Sequence, residues 1–237
     1  KYSLVIGLGA TGFALVVGSI IGAIAAVVRP RIANVIMRIL DIIMSFPGIA
    51  LAATFIVVFG NSVPSLIFAI GFLYIPQIAR IVRANVMSEY NQDYVRAVVV
   101  SGARAPWILW KHVVRNCVAP VLVFTIVLVA DAIVFEASLA FISAGIPEPT
   151  PTWGNILADA RNGVLAGRWW QALFPGIMIM LTVLCLNIVS EGITDAIAAP
   201  KSAVKVDEND LNKDREADRM VADPTLAYAA QADMLNK

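Results

Sequence analysis

Few side chains in this sequence could do chemistry, and two of them are unusually placed. Asp131 and Glu136 interrupt an apolar run from Val118 to Ser143. An ionisable group at membrane depth is costly, and it normally faces a bundle interior or a wet cavity. Five residues amount to about 500° of helix, so the two acids do not share a face. One can line a path while the other bonds within the protein. The plainer alternative for Glu136 is hydration or structural pairing near the helix end. Catalysis finds little support. His112 is the single histidine, which gives a Ser-His-Asp triad little to work with. No Gly-x-Ser-x-Gly elbow or His-Glu-x-x-His helix occurs. Neither does the Gly-x-x-x-x-Gly-Lys-[Ser/Thr] phosphate loop. Cys117 and Cys185 lie in or beside apolar segments and read as small core residues. Without clustered Cys or His the usual metal sites are not expected, and nor is any cofactor in this chain. These residues point to moving a solute rather than transforming it. Any nucleotide energy would come from another subunit.

The elements that position these side chains follow from composition. The chain is 59% hydrophobic and 15% charged, and a membrane-crossing helix takes about 20 apolar residues. An all-α, polytopic transmembrane bundle is expected, with spans at about 3–28, 39–60, 63–83, 118–143 and 173–195. Ser45-Phe46-Pro47-Gly48 should kink the second span, because an internal proline removes a backbone bond. Gly7-Leu8-Gly9-Ala10-Thr11-Gly12 formally matches a dinucleotide fingerprint, but no strand precedes it. With Gly18 and Gly22 it reads as a helix-packing face. The transmembrane domain covers 1–199, with a polar loop at 84–117 and a turn-rich loop at 144–172. In the latter, Trp153, Trp169 and Trp170 suit an interfacial belt. A tail at 200–237 follows, six basic and eight acidic residues among its charges. One set of loops holds nine basic residues and the other three. This places 84–117 and the tail in the cytoplasm and 144–172 outside. The first span then runs inward, so a further span upstream of Lys1 is expected.

The longest polar interruption is Tyr90 to Pro120. It reads as a short helix, a break at Gly102 and a second helix entered at Pro106. Asn91 suits an N-cap, and Asp93 a first turn where the helix dipole favours an acid. Gly102 suits a stop and Pro106 a first helical turn. Val98, Val99 and Val100 are weak helix formers, so this helix needs something to pack against. Tyr94, Val95, Ala97 and Val98 give a small apolar face, while Arg96 and Arg104 can pair with acids of a partner. Ala97 and Gly102 allow close approach. From residues alone the segment either docks on a partner or lies along the membrane surface.

Asp93-Tyr94-Val95-Arg96-Ala97 with Gly102, then His112-Val113-Val114-Arg115-Asn116, resembles the EAA loop of bacterial ABC import permeases. More narrowly it is similar to the second permease of the dipeptide/oligopeptide/nickel group. Glu136-Ala137-Ser138-Leu139-Ala140-Phe141 followed by Pro149-Thr150-Pro151-Thr152-Trp153-Gly154 resembles that group's external segment. Leu173-Phe174-Pro175-Gly176, Asn187 and Glu191-Gly192-Ile193-Thr194-Asp195-Ala196 resemble its final span. The likeness covers about Tyr2 to Pro200. Two departures stand out: Arg96-Ala97-Val98 replaces Glu-Ala-Ala, and Arg115 stands where a proline is usual.

The resemblance implies a type I ABC importer permease in a bacterial plasma membrane. It implies a homologous permease, two ATP-binding subunits carrying ATP and Mg, and an extracytoplasmic solute-binding protein. Asp93, Tyr94, Val95, Arg96, Ala97, Gly102, Ala103, Arg104 and Pro106 would couple to the ATPase. Asp131, Glu136 and Asn187 are candidates for the substrate path or gate. Thr152, Trp153 and Asn155 are candidates for binding-protein contact. Di- or oligopeptides are the expected cargo, with nickel or haem-like ligands as alternatives. A proton-coupled secondary transporter using Asp131 or Glu136 is the rival from another class, and it would predict inverted repeats.

Overall fold

The computed structural model describes residues 1–103, 105–147 and 149–198. Arg104 and the tail at 200–237 therefore lie outside the described residues. The order is α1 (Tyr2–Val27), α2 (Pro30–Met44), α3 (Gly48–Phe59), α4 (Val63–Tyr90), α5 (Asp93–Val100) and α6 (Ala105–Ile108). A π-helical turn (Leu109–Val113), α7 (Val114–Phe141), α8 (Trp153–Leu165) and α9 (Trp170–Ala198) complete it. Among the described residues, four helices are long and apolar enough to cross a membrane: α1, α4, the continuous Leu109–Phe141 segment and α9.

The second expected span differs. Instead of one kinked helix at 39–60, the structure has α2 from Pro30 and α3 from Gly48, bent by 84° across the break. Pro47 has no N–H to continue the ladder of α2, and its ring opposes the preceding turn. Helix α2 carries Arg31, Asn34 and Arg38, and among its residues only Ala33 and Leu40 are buried. Such a helix is unsuited to hydrocarbon on all sides. The polar loop is also shorter than 84–117. Helix α4 continues to Tyr90 because Val82 and Val86 remain in the core, and the helix leading into α7 begins at Leu109.

Helices α1, α4 and α7 form the centre. Small residues bring α1 and α4 together, as the glycine spacing predicts. A methyl group added at Gly22 would lie 2.5 Å from the Ala79 carbonyl oxygen, and one at Gly71 2.8 Å from that of Ala10. Backbones this close leave no room for side chains, and dispersion across the interface replaces the hydrophobic drive that lipid does not supply. Ile6, Ala10 and Ala14 of α1 are fully buried, as are Leu66, Ile70 and Ile78 of α4. Helix α9 is the opposite case. Only 6% of its apolar window is buried within the chain. One tie is the Ser190 hydroxyl, which donates to the Val123 carbonyl at 3.1 Å.

Helix α8 lies inside the segment expected as the 144–172 loop. Thr152 caps it by accepting the Asn155 N–H at 3.0 Å, the geometry that satisfies an orphan donor at a helix start.

Candidate functional site

The Tyr90 to Pro120 segment folds against the ends of α4 and α7. Its N-terminal signals fall one residue from the expected place. Asn91 closes α4, and Gln92 precedes α5 without a side-chain cap. Asp93 stands in the first turn of α5 as expected. Gly102 adopts φ +82°. Its N–H donates to Val99 at 2.9 Å, and that of Ala103 reaches Val98 at 3.4 Å. This pair of bonds is a Schellman stop, which a left-handed glycine makes without Cβ strain. Pro106 falls in the first turn of α6.

The faces of α5 are distinct. Val95 is 0% exposed and Val98 packs against the core. Tyr94 shares their side through a polar knot. Its hydroxyl donates to Glu89 Oε2 at 2.5 Å and accepts from Asn116 Nδ2 at 2.9 Å. The same Asn116 amide reaches Glu89 Oε2 at 3.4 Å. Partial burial, then the bond to Glu89, hold the phenol above its ordinary pKa, against a smaller opposite effect of Asn116. The hydroxyl therefore keeps its proton at physiological pH. Arg96, Val99 and Val100 face outward at i, i+3 and i+4. The Arg96 side chain is 67% exposed, and Val100 is 88% exposed. Arg96 and Asp93 approach at 3.8 Å, an exposed pair of little energetic consequence. Ala97 is exposed and Ala103 half-buried. The apolar face expected at Tyr94, Val95, Ala97 and Val98 thus divides: Val95 is buried and Val98 half-buried, while Ala97 is exposed and Tyr94, 40% exposed, is held by its hydroxyl.

After Gly102, Trp107 and His112 meet at 5.2 Å and Lys111 Nζ lies 4.7 Å above the Trp107 ring. Exposed Trp107 and Trp110 flank this turn, in the manner of aromatic rings at a membrane surface.

The intramembrane candidates have different surroundings. Asp131 accepts the Tyr74 hydroxyl at 2.7 Å from α4, yet its own residue is exposed on the chain. Glu136 is 0% exposed. It faces the hydroxyls of Thr152 and Ser3, but neither carboxylate oxygen forms a hydrogen bond among the described residues. Their different environments agree with the five-residue separation. Asn187 is half-buried on α9. A further polar pair, Arg80 with Asp41, joins α4 to α2. Asp41 falls within the span expected at 39–60, and spacing along the chain gives no sign of its pairing with Arg80. Tyr74, Glu89 and Asn116 were also missed, although a tyrosine inside an apolar span and polar residues flanking a short helix were available signals.

At the other end of α7, Thr152 is buried as the α8 cap. The Asn155 amide donates to Ile146 at 2.7 Å and Thr150 at 3.1 Å. The Trp153 N–H donates to the Ser3 hydroxyl at 3.1 Å. These residues build the seat of α8, and Trp153 is half-buried at its surface.

Comparison with known proteins places this architecture among transporters. Residues 18–200 match the family described as "Binding-protein-dependent transport system inner membrane component". A di/tripeptide transport system permease protein, DppC, of Pseudomonas aeruginosa is 34% identical over 83% of this chain and 65% of its own length. A putative peptide transport system permease protein of Brucella suis is 39% identical over 83% and 66%, respectively. The Escherichia coli K12 dipeptide permease protein DppC is 37% identical over 69% and 54%. The chain therefore spans less than two thirds of the length of these relatives. Among solved structures, an inward-facing MetNI methionine ABC transporter chain superposes with TM-score 0.70 at 18% identity. That match covers 83% of this chain and 93% of the other, a likeness of fold.

Proposed function

The chain belongs to the family of inner membrane components of binding-protein-dependent transport systems, and on that premise we propose that it is a permease subunit of an ATP-driven peptide importer. Helix α5 carries the reading. It is seated by buried Val95, stopped at Gly102, and turns Arg96, Val99 and Val100 outward. An ATPase groove lined by apolar and acidic side chains complements that face. The exposed residues among Asp93 to Ala103 form the coupling surface and buried Val95 seats it, with Arg104 and Pro106 assigned to the same segment from the sequence. The 90–120 segment and the tail are cytoplasmic in this reading.

ATP binding draws two ATPase subunits together. Their motion passes through α5 to α4 and α7 and alternates access to a pore shared with a homologous permease. A solute-binding protein delivers substrate at the α8 end, where Thr152 and Asn155 shape the seat and Trp153 borders it. Asp131, Glu136 and Asn187 are the path or gate residues of this scheme. A carboxylate facing lipid would be costly, so exposed Asp131 favours a wet path or a partner contact. The chain itself performs no catalysis, and ATP and Mg belong to partner subunits.

The substrate assignment follows the names of relatives 34% to 39% identical. Uptake of labelled dipeptide by cells carrying the complete transporter tests it. Competition by unlabelled di- and oligopeptides is expected. Competition only by nickel complexes or haem would reject peptides while leaving the permease assignment in place.

A further inference from the structure

We propose that the Tyr94 hydroxyl is the point through which α5 moves α4 and α7 together, with Glu89 and Asn116 as positioning residues. This deepens the permease reading and rests on it. Glu89 lies in the last turn of α4, Tyr94 in the first turn of α5 and Asn116 in the first turn of α7. One oxygen joins all three elements: it donates to Glu89 at 2.5 Å and accepts from Asn116 at 2.9 Å. The carboxylate can only accept and the amide nitrogen can only donate, so the direction of both bonds is fixed. The bond to the charged acceptor is the stronger type.

The rest of the attachment cannot perform this task as well. Only Asn91 and Gln92 separate α4 from α5. Val95 is buried, but an apolar contact is non-directional and tolerates sliding. The hydroxyl knot fixes register. It also lies opposite the outward Arg96, Val99 and Val100, so a partner can grip one face while the other pulls two spans. A displacement of α5 is then shared between α4 and α7 instead of being absorbed by the short connections around it.

The test uses the complete transporter in proteoliposomes and reads peptide delivered per ATP hydrolysed. Tyr94→Phe retains the ring against His112 and removes both bonds. It is expected to lower that ratio about tenfold, equivalent to about 1.4 kcal/mol of lost linkage. Asn116→Ala should lower it less. The double variant should be no worse than Tyr94→Phe, because both changes break the same knot. Glu89→Gln retains a carbonyl acceptor and should exceed Glu89→Ala. A wild-type ratio in Tyr94→Phe, or additive losses in the double variant, overturns the proposal. A merely structural role would reduce assembled transporter and leave the ratio unchanged. Should Tyr94→Phe fail to assemble, wild-type ratios in Asn116→Ala and Glu89→Ala overturn it instead. Failure of the permease reading looks different: wild-type transporter would give no ATP-dependent uptake.

Discussion

Asp131 and Glu136 have the same chemistry and contrasting surroundings. Tyr74 donates to Asp131, so a hydrogen-bonded acceptor is held at a position exposed on this chain. Replacing Asp131 with Asn keeps an acceptor and removes the charge. Uptake by the reconstituted transporter is expected to fall about tenfold or more, a loss of about 1.4 kcal/mol. Unchanged uptake would remove Asp131 from the path. Glu136 is buried, and among the described residues neither of its oxygens forms a hydrogen bond, although the Thr152 and Ser3 hydroxyls face it. A buried polar group without partners costs about 1–3 kcal/mol, more if charged. Glu136→Leu is therefore expected to raise the melting temperature in detergent, because it removes that cost and nearly conserves volume. If the acid also gates the path, the same variant loses uptake. A lower melting temperature would mean that Ser3 and Thr152 already satisfy the carboxyl.

At the scale of elements, the glycines make the sharpest claims. Gly22→Leu forces side-chain atoms into the Ala79 carbonyl, and overpacking typically costs about 1–3 kcal/mol. The α1–α4 pair should loosen, with a lower yield of monodisperse protein in detergent. Gly102→Val meets nothing within 4 Å but must adopt φ +82°, at a cost of about 1–2 kcal/mol. Expression should persist while transport per ATP falls. Normal transport in that variant would count against α5 docking.

Much of this layer was legible in the sequence. Gly18 and Gly22 announced the packing face, and Gly102 announced the helix stop. The 84° bend at Pro47 was underestimated, because a proline marks a break without stating its angle. The 144–172 segment reads as loop because Pro147, Pro149 and Pro151 and its glycines outweigh the Thr152 and Asn155 capping pattern. The knot at Tyr94 was invisible for another reason. Glu89, Tyr94 and Asn116 lie in three elements, and spacing along the chain says nothing about how those elements meet.

At the scale of the molecule, α9 is largely unpacked within the chain, as suits a helix completed by lipid or other subunits. The outward face of α5 is its counterpart at a polar end, and in the proposed function other subunits cover both. The measurement that tests that claim most directly is peptide uptake into proteoliposomes containing this chain with its paired permease, ATPase subunits and binding protein. Hydrolysable ATP on the α5 side should drive accumulation, and a non-hydrolysable analogue should abolish it, with or without a proton gradient. Uptake by this chain alone, driven by the proton gradient and indifferent to ATP, would contradict the account.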